Sequence, residues 1–265
     1  MWQMIHPTAI VSSSARIGKN VKVGPYSIIG ENVELGDNVE IMAHVCVTGY
    51  TIIGEQTRIF PFAAIGYAPQ DLKYKGEKSR LLVGKRNIIR EYATMHPGTK
   101  SGAMETIVGD DNLLMIGIHI AHDCVVGHNV VMGNNATLGG HVKIGDDVII
   151  GGLAAIHQRV RIGQGAIIGG MSGVERDVIP YGAVKGERAH LYDINIIGLR
   201  RNGVNRQDIL ALKKAYNMIF SEKDTVARSV ENVEKTIKGI SYVDCLIKFM
   251  KENTERSLCL PKENK

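Results

Sequence analysis

The most constraining feature of this chain is an aliphatic residue that recurs every six positions. The first run extends from Ile5 to Ile65, a short second run covers 83–95, and a third extends from Val108 to Val174. A stripe of smaller residues lies two positions before each large one. Neither an α-helix nor an ordinary alternating strand has a period of six, so this internal repeat determines the fold.

Such a repeat predicts a solenoid made of triangular coils. Each hexapeptide supplies a short strand with one large and one small inward side chain, followed by a corner, and three hexapeptides close a coil of about 18 residues. Coils stack at roughly 4.8 Å, and each coil covers the core of its neighbour. An aromatic content of 5% fits a narrow prism that has no room for large rings. We therefore expect a mainly β protein, a parallel β-helix.

The periodicity becomes helical beyond the repeat. Residues 180–187 are typical of a closing turn. Asn205 and Thr225 are good helix N-caps, and each precedes an amphipathic segment. The predicted helices cover 205–220, a segment from 225 to about 237, and 241–252, and a polar, frayed tail follows Asn253. The expected organisation is a β-helix over 1–187 and a C-terminal α-helical domain over 188–265.

Two interruptions of the repeat predict external loops. Between Ile65 and Val83 the register is kept, but Asp71 and Glu77 fall where aliphatic residues should line the core. A charge is not tolerated in so narrow a core, so the chain must loop outward near 66–82. The second break inserts seven extra residues after His96, near 97–107. Loops on a rigid solenoid are where functional residues usually lie.

The register also predicts a cluster of histidines. Once the insertion is allowed for, four aliphatic residues occupy the same edge in successive coils: Met95, Ile120, Leu138 and Ile156. The histidines beside them should therefore point outward along one corner, and these are His96, His122, His141 and His157. His119 lies just before the same corner. A single outward histidine is usually solvated surface, but five of the nine at one corner indicate a functional site. Cys124 falls in the small inner stripe, so we interpret it as core.

Composition narrows the class of protein. We expect no signal peptide and no membrane span, because no apolar run reaches the ~18–20 residues that a bilayer requires. The four cysteines show no disulfide or metal spacing, so a reduced, cytoplasmic protein is expected. The net charge of +5 lies in 188–265, with 15 basic and 10 acidic residues, whereas 1–187 has 17 of each. That excess is either a solvated helical surface or a docking surface for an acidic partner. Nothing suggests nucleic-acid binding.

Several motifs resemble the UDP-N-acetylglucosamine O-acyltransferase family. These segments are 111–115, 119–124, 134–141, the loop segment 70–74, and 195–201. The resemblance spans nearly the whole chain. It implies a left-handed β-helix, a homotrimer with active sites between neighbouring subunits, and no cofactor. It also implies transfer of a 3-hydroxyacyl group from acyl carrier protein to the 3-hydroxyl of UDP-N-acetylglucosamine, the first step of lipid A synthesis. The acidic carrier protein would meet the basic C-terminal domain.

The same resemblance implies roles for individual residues. His122 matches the general base, Asp123 its orienting carboxylate, and Gly140 the backbone N–H that stabilises the oxyanion. Residues matched to substrate binding are Gln70, Asp71, Lys73, His96, His119, His141, His157, Gln158, Asn195 and Arg201, while Gly170 matches the part of the family that measures acyl length. A glycine at 170 leaves room for a longer acyl chain.

The chain departs from the family pattern at two positions. Asn202 stands where a further arginine is common, which bears on nucleotide affinity, and Arg188 stands where the family has a histidine, with His190 close by. Three other functions stay open. A coenzyme A-dependent sugar O-acetyltransferase would share this fold, a histidine cluster could bind a metal, and some solenoids are non-enzymatic scaffolds. We expect no metal.

Overall fold

A computed structural model describes residues 5–221, 224–252 and 254–262. Its first nine strands are β1 (Ile10–Val11), β2 (Arg16–Ile17), β3 (Lys22–Val23), β4 (Ile28–Ile29), β5 (Glu34–Leu35), β6 (Glu40–Ile41), β7 (Cys46–Val47), β8 (Tyr50–Ile53) and β9 (Arg58–Ile59). The next nine are β10 (Ala64–Ile65), β11 (Arg80–Val83), β12 (Ile88–Ile89), β13 (Thr94–Met95), β14 (Glu105–Val108), β15 (Leu113–Leu114), β16 (His119–Ile120), β17 (Val125–Val126) and β18 (Val131–Met132). The last nine are β19 (Thr137–Leu138), β20 (Lys143–Ile144), β21 (Ile149–Ile150), β22 (Ala155–Ile156), β23 (Arg161–Ile162), β24 (Ile167–Ile168), β25 (Gly173–Val174), β26 (Gly182–Lys185) and β27 (His190–Ile194).

The strands form three faces of a prism, and the expected parallel β-helix is confirmed. Up to β25, every third strand belongs to the same face, and β26 and β27 extend face 3. Face 1 has nine strands from β1 to β25, face 2 has eight from β2 to β23, and face 3 has ten from β3 to β27. All pairs are parallel except β26 with β27. The large residue of each repeat and the small one before it point inward, and from Val21 to Val174 they are buried. The period of six therefore places two side chains per hexapeptide in the core.

The corners share one backbone conformation. A residue with positive φ recurs there, and it is usually not glycine, as at Asn38 (59°), Asn129 (55°) and Asp147 (58°). Asn and Asp tolerate this left-handed region better than other residues do. Asp123 (59°) and His141 (63°) adopt it too. Their conformation therefore belongs to the fold and is not a distortion specific to the site.

Both external loops leave the prism between face 1 and face 2. The first comprises residues 66–79, shorter than expected, because Arg80–Val83 pair with Tyr50–Ile53 as strand β11. The second comprises residues 96–104 and not the expected 97–107, because β14 starts at Glu105 and pairs with β11. The loops thus leave from the corner that carries the histidines.

Gly66 begins the first loop under tight constraint. Its φ is +83°, and a Cβ there would lie 2.1 Å from the Thr48 carbonyl oxygen and 2.2 Å from Thr51 Oγ1. Gly76, in the same loop, has a φ of +87° with nothing within 4 Å of the Cβ position. An alanine at Gly66 would therefore suffer both steric overlap and backbone strain, whereas an alanine at Gly76 would suffer only the strain.

We expect Gly66→Ala to lower the free energy of unfolding by at least ~3 kcal/mol, since strain and overlap add. Gly76→Ala, the matched control, should cost only the left-handed strain of about 1–2 kcal/mol. Chemical denaturation of both variants measures the difference. Equal losses would show that the overlap at Gly66 relaxes freely.

The C-terminal helices follow the predicted positions. They are α1 (Ile196–Arg201), α2 (Arg206–Ile219), α3 (Val226–Thr236) and α4 (Ser241–Lys251). The expected N-caps Asn205 and Thr225 accept hydrogen bonds from backbone N–H groups of α2 and α3. Helix α1 was not predicted, because six residues are too few to show a helical period. Of the helices that the structure describes, all lack the length and hydrophobicity to cross a bilayer.

Two expectations for the C-terminal part were wrong. Residues 182–185 are not part of a turn but form strand β26, which extends face 3 beyond the repeat and pairs with β27. The tail 254–262 is not frayed. It forms parallel bridges from Leu258 to Asp177 and from Pro261 to Leu191. The Asp177 N–H donates to the Ser257 carbonyl and the Cys259 N–H donates to the Asp177 carbonyl, which holds the tail against the end of the β-helix.

Candidate active site

The predicted histidine edge is present. Met95 pairs with Ile120, Ile120 with Leu138, and Leu138 with Ile156, in four successive coils of face 1. The segments that connect face 1 to face 2 here carry His96, His122, His141 and His157, and we call this the histidine corner. His119 lies in β16 on the adjoining face.

The histidines form two contacting pairs and a separate member. His96 and His119 lie edge to face, with ring centroids 4.9 Å apart. His122 and His141 are arranged in the same way at 5.1 Å. His157 is exposed and has a different partner, Arg256 of the C-terminal tail. The cluster therefore offers imidazoles in distinct environments.

Asp123 holds His122, one ring of the His122–His141 pair, by a hydrogen bond. It is buried, with 7% of its surface exposed, and its Oδ2 lies 2.8 Å from His122 Nδ1. The second loop reaches over it: Thr99 donates from its backbone N–H to both carboxylate oxygens at 3.1 Å and from Oγ1 to Oδ2 at 2.6 Å. The Asp123 N–H donates to Thr106 Oγ1 at 2.8 Å. The carboxylate is thus fixed from several directions.

These hydrogen bonds determine the charge of Asp123. Burial raises the pKa of its carboxyl group, but the hydrogen bonds from Thr99 and His122 outweigh burial, and the net pKa is lowered. The group is therefore an anion at neutral pH. An anionic acceptor at Nδ1 keeps the Nδ1–H tautomer of His122 and leaves a lone pair on Nε2, the arrangement that a general base requires.

Gly140 lies directly against the His122 ring. A Cβ at Gly140 would be 2.6 Å from Cε1 and 2.7 Å from Nε2. Within the described part of the chain, the Gly140 N–H donates no hydrogen bond. Gly140 is buried, and an N–H without a partner in a residue that packs against the basic ring is a candidate oxyanion donor.

Burial keeps His96, His119 and His141 neutral. It lowers the pKa of His96 to about 4, with further contributions from His119 and His122. It also lowers the pKa of His119, and that of His141 against the opposing charge of Asp123. His96 is 6% exposed, and its Nδ1 has no hydrogen-bond partner in the described structure. These rings are neutral hydrogen-bonding groups at pH 7.

The pKa of His96 has a consequence for stability. Between pH 6.5, the ordinary histidine value, and about 4, the unfolded chain binds a proton that the folded chain does not. The free energy of unfolding should therefore fall as the pH is lowered through this window, by up to ~3 kcal/mol for this one group. We expect His96→Asn to flatten that dependence. Urea denaturation of both proteins at a series of pH values measures it, and parallel curves would contradict the assignment.

Cys124 is core, as expected. It is fully buried, and burial raises the pKa of its thiol to about 12. His122, Asp123 and His141 hold potential metal-ligand atoms within 4.8 Å of one another. His122 Nδ1 and Asp123 Oδ2 are hydrogen-bonded to each other.

The first loop does not bring its residues onto the histidines in the single chain. Asp71 Oδ1 accepts a hydrogen bond from the Lys73 N–H at 2.9 Å, and the side chains of Gln70 and Lys73 are exposed. Their contacts are therefore local. Gln158 is exposed at the histidine corner and accepts a hydrogen bond from Arg256 through its carbonyl oxygen.

The remaining predicted residues lie at other corners. Gly170 lies between face 3 and face 1, stacked on Gly152, whose carbonyl oxygen is 3.2 Å from the Cβ position. Asn195 is 7% exposed; it caps α1 through the Gly198 N–H and donates to the Gly165 carbonyl, between face 2 and face 3. Arg201 lies at the end of α1 and lines a cavity of about 280 Å³ there. One chain therefore does not bring the predicted residues together.

Two contributors were missed from sequence. Thr99 falls in an insertion without periodicity, and its only signal was that the insertion is rich in Gly, Ser and Thr. Arg256 lies in a tail predicted to be frayed. Both act through tertiary contacts that hydrophobic patterning does not reveal.

Several known proteins are similar to this chain in sequence. A model described as UDP N-acetylglucosamine O-acyltransferase, domain 2, matches residues 177–259, and the bacterial transferase hexapeptide model matches 14–49, 105–140 and 141–176. The acyl-(acyl-carrier-protein)–UDP-N-acetylglucosamine O-acyltransferase of Caulobacter vibrioides is 47% identical over 97% of this chain and 98% of its own. The enzyme of the same name from Rickettsia typhi is 49% identical over 96% and 97%.

Solved structures agree. A crystal structure of a UDP-N-acetylglucosamine acyltransferase superposes with a TM-score of 0.95 at 39% identity, covering 98% of this chain and all of the other. The Acinetobacter baumannii structure gives 0.93 at 40% identity, with coverage of 97% and 99%. On sequence and fold together, the chain belongs to the UDP-N-acetylglucosamine O-acyltransferase family.

Proposed function

We propose that this enzyme transfers a 3-hydroxyacyl group from acyl carrier protein to the 3-hydroxyl of UDP-N-acetylglucosamine, the first step of lipid A biosynthesis. The observation that carries the mechanism is the Asp123–His122 pair facing Gly140. Membership of the family supports the substrates, and the names of the Caulobacter and Rickettsia relatives state an acyl carrier protein donor and O-acyl transfer to UDP-N-acetylglucosamine.

The proposed chemistry uses His122 as general base. Its Nε2 takes the proton of the sugar hydroxyl as the oxygen bonds to the thioester carbonyl carbon. The Gly140 N–H stabilises the resulting oxyanion. The intermediate collapses, the C–S bond breaks, and the thiolate receives the proton from His122. Asp123 remains ionised and stabilises the transient imidazolium. No acyl-enzyme and no cofactor are needed.

The distribution of the predicted residues supports a homotrimer. His122, Gly170 and Asn195 lie at three different corners of one prism, so one substrate molecule does not reach all three in a single chain. In a trimer of parallel prisms, the histidine corner of one subunit would face another corner of its neighbour. An active site between two subunits would bring residues from different corners together. The neighbouring subunit and the loop that carries Gln70, Asp71 and Lys73 would close it.

The charge of the C-terminal domain, the free thiols and Gly170 support the proposed carrier protein, cellular compartment and acyl chain. The five excess positive charges of residues 188–265 suit docking of the acidic carrier protein. The four thiols, at Cys46, Cys124, Cys245 and Cys259, are all free, as in the reducing cytoplasm. Gly170 supports a longer acyl chain, because a side chain there would crowd the corner.

A donor panel tests this function. UDP-N-acetylglucosamine is incubated with the native chain and either 3-hydroxyacyl carrier proteins of increasing chain length or acetyl-coenzyme A, and products are measured by mass spectrometry. We expect acyl transfer from the carrier protein, strongest for longer chains. Transfer from acetyl-coenzyme A alone would favour the sugar O-acetyltransferase instead. A parallel acceptor with a 3-amino group distinguishes ester from amide formation.

A further inference from the structure

The C-terminal tail reaches the histidine corner through one arginine. Arg256 Nη2 lies 2.8 Å from His157 Nδ1, and its Nε donates to the Gln158 carbonyl oxygen at 3.2 Å. The tail is held in place independently. The Cys259 N–H donates to the Asp177 carbonyl at 2.7 Å, and Thr254 Oγ1 donates to Asp177 Oδ2 at 3.1 Å.

This contact determines the tautomer of His157. A guanidinium has donors only and stays protonated in proteins. The ring nitrogen that meets it at 2.8 Å must therefore be an acceptor with a free lone pair, and this contact is shorter than the 3.3 Å between the same Nδ1 and the Gln158 carbonyl oxygen. His157 is then neutral, with its proton on Nε2, the ring nitrogen opposite Arg256.

His122 and His157 thus carry their ring proton on opposite nitrogens. At His122 the Nδ1 partner is the Asp123 carboxylate, an acceptor, which leaves Nε2 as a base. At His157 the Nδ1 partner is a donor, which makes Nε2 a hydrogen-bond donor. Both acceptors of Arg256 are neutral groups, so its positive charge is not cancelled there and polarises the neutral His157 ring, which makes Nε2–H a stronger donor to an anionic oxygen.

We propose that Arg256 is a positioning residue that fixes His157 as an Nε2–H donor to an oxygen of a phosphate-bearing substrate. The proposal rests on the proposed function. Both the nucleotide sugar and the phosphopantetheine arm of the donor carry phosphate, and separate KM values for the two substrates distinguish them.

The first experiment reads the tautomer without activity. The intact protein, labelled with ¹⁵N-histidine, is measured by NMR at neutral pH, and His157→Gln assigns the resonance. We expect an unprotonated Nδ1 and a protonated Nε2 in the native protein, and a mixture of tautomers in Arg256→Ala. Glu255→Ala is the matched control, because it breaks the neighbouring tail contact to Arg159 and leaves Arg256 in place. An unchanged tautomer in Arg256→Ala would overturn the proposal.

The second experiment measures transfer. Arg256→Ala should lower kcat/KM by about tenfold, the effect of one oriented hydrogen bond, mainly through the KM of one substrate. Arg256→Lys should recover part of the loss, and Glu255→Ala should be close to native.

A double-mutant cycle separates positioning from mere attachment of the tail. If Arg256 acts through His157, His157→Gln and His157→Gln/Arg256→Ala should have equal activity. Additive losses, or equal losses in Arg256→Ala and Glu255→Ala, would show that the arginine only attaches the tail. If Arg256→Ala does not fold, Arg256→Lys and Arg256→Gln replace it in the cycle. An inactive native chain with the expected tautomer would contradict the function and leave the tautomer result standing.

Discussion

Replacing His122 by alanine is expected to lower kcat by about a thousandfold, within the range of a general base. A sugar hydroxyl is a weak nucleophile at neutral pH, and His122 Nε2 is the basic nitrogen that Asp123 and Gly140 frame. The loss should fall on kcat more than on KM, because proton removal occurs only in the transition state. Rates of acyl transfer from 3-hydroxyacyl carrier protein, measured with the concentrations of both substrates varied, give kcat and KM for the native protein and the variant.

The control for this prediction is His128→Ala. His128 is an exposed histidine whose Nδ1 accepts a hydrogen bond from the Asp110 N–H at 2.9 Å, at the corner between face 2 and face 3. It should keep near-native activity. Circular dichroism and size-exclusion chromatography must show that both variants keep the fold and the assembly of the native chain. A folded His122→Ala protein within tenfold of native activity would remove His122 from the role of base.

Replacing Gly140 by alanine is expected to cost at least a hundredfold in kcat, although only one methyl group is added. That methyl would lie 2.6 Å from His122 Cε1, closer than carbon atoms approach. The ring would have to move away from Asp123 and lose the 2.8 Å hydrogen bond, and the methyl would crowd the oxyanion donor, whose removal alone costs about 10²–10³-fold. Because the φ of Gly140 lies outside the left-handed region, the backbone accepts alanine and the protein should fold.

Gly152→Ala is the matched control for Gly140→Ala. Gly152 holds the same position in the repeat, two residues after the buried Ile150, but at the corner between face 3 and face 1. A Cβ there would be 3.2 Å from the Asn134 carbonyl oxygen, with no histidine within 4 Å. Because Gly152 stacks on Gly170, at the corner proposed to take the acyl chain, both variants are compared with the shortest donor of the panel. Comparable losses of kcat with that donor would mean that alanine harms the coil in general and not the site.

Much of the fold was predictable because its cause is local. A large residue every six positions requires a coil of three short edges, so the core, the coil register and the alignment of His96, His122, His141 and His157 all followed from counting. The caps Asn205 and Thr225 were predictable for the same reason, since an N-cap acts within one turn of helix. The ends of the two loops were not predicted correctly, because Arg80 and Glu105 begin strands that form by pairing with other coils.

The sequence by itself determined the prism and the corner on which the histidines lie, because hydrophobic periodicity specifies which side of the backbone each residue occupies. Only the tertiary structure decided what each imidazole can do. Thr99 holds Asp123 across 24 residues, and Arg256 meets His157 across 99. Such contacts depend on where a loop and a tail are packed, and no local period encodes that. The chemistry of a histidine is set by the group at its other nitrogen, and here those groups come from distant parts of the chain.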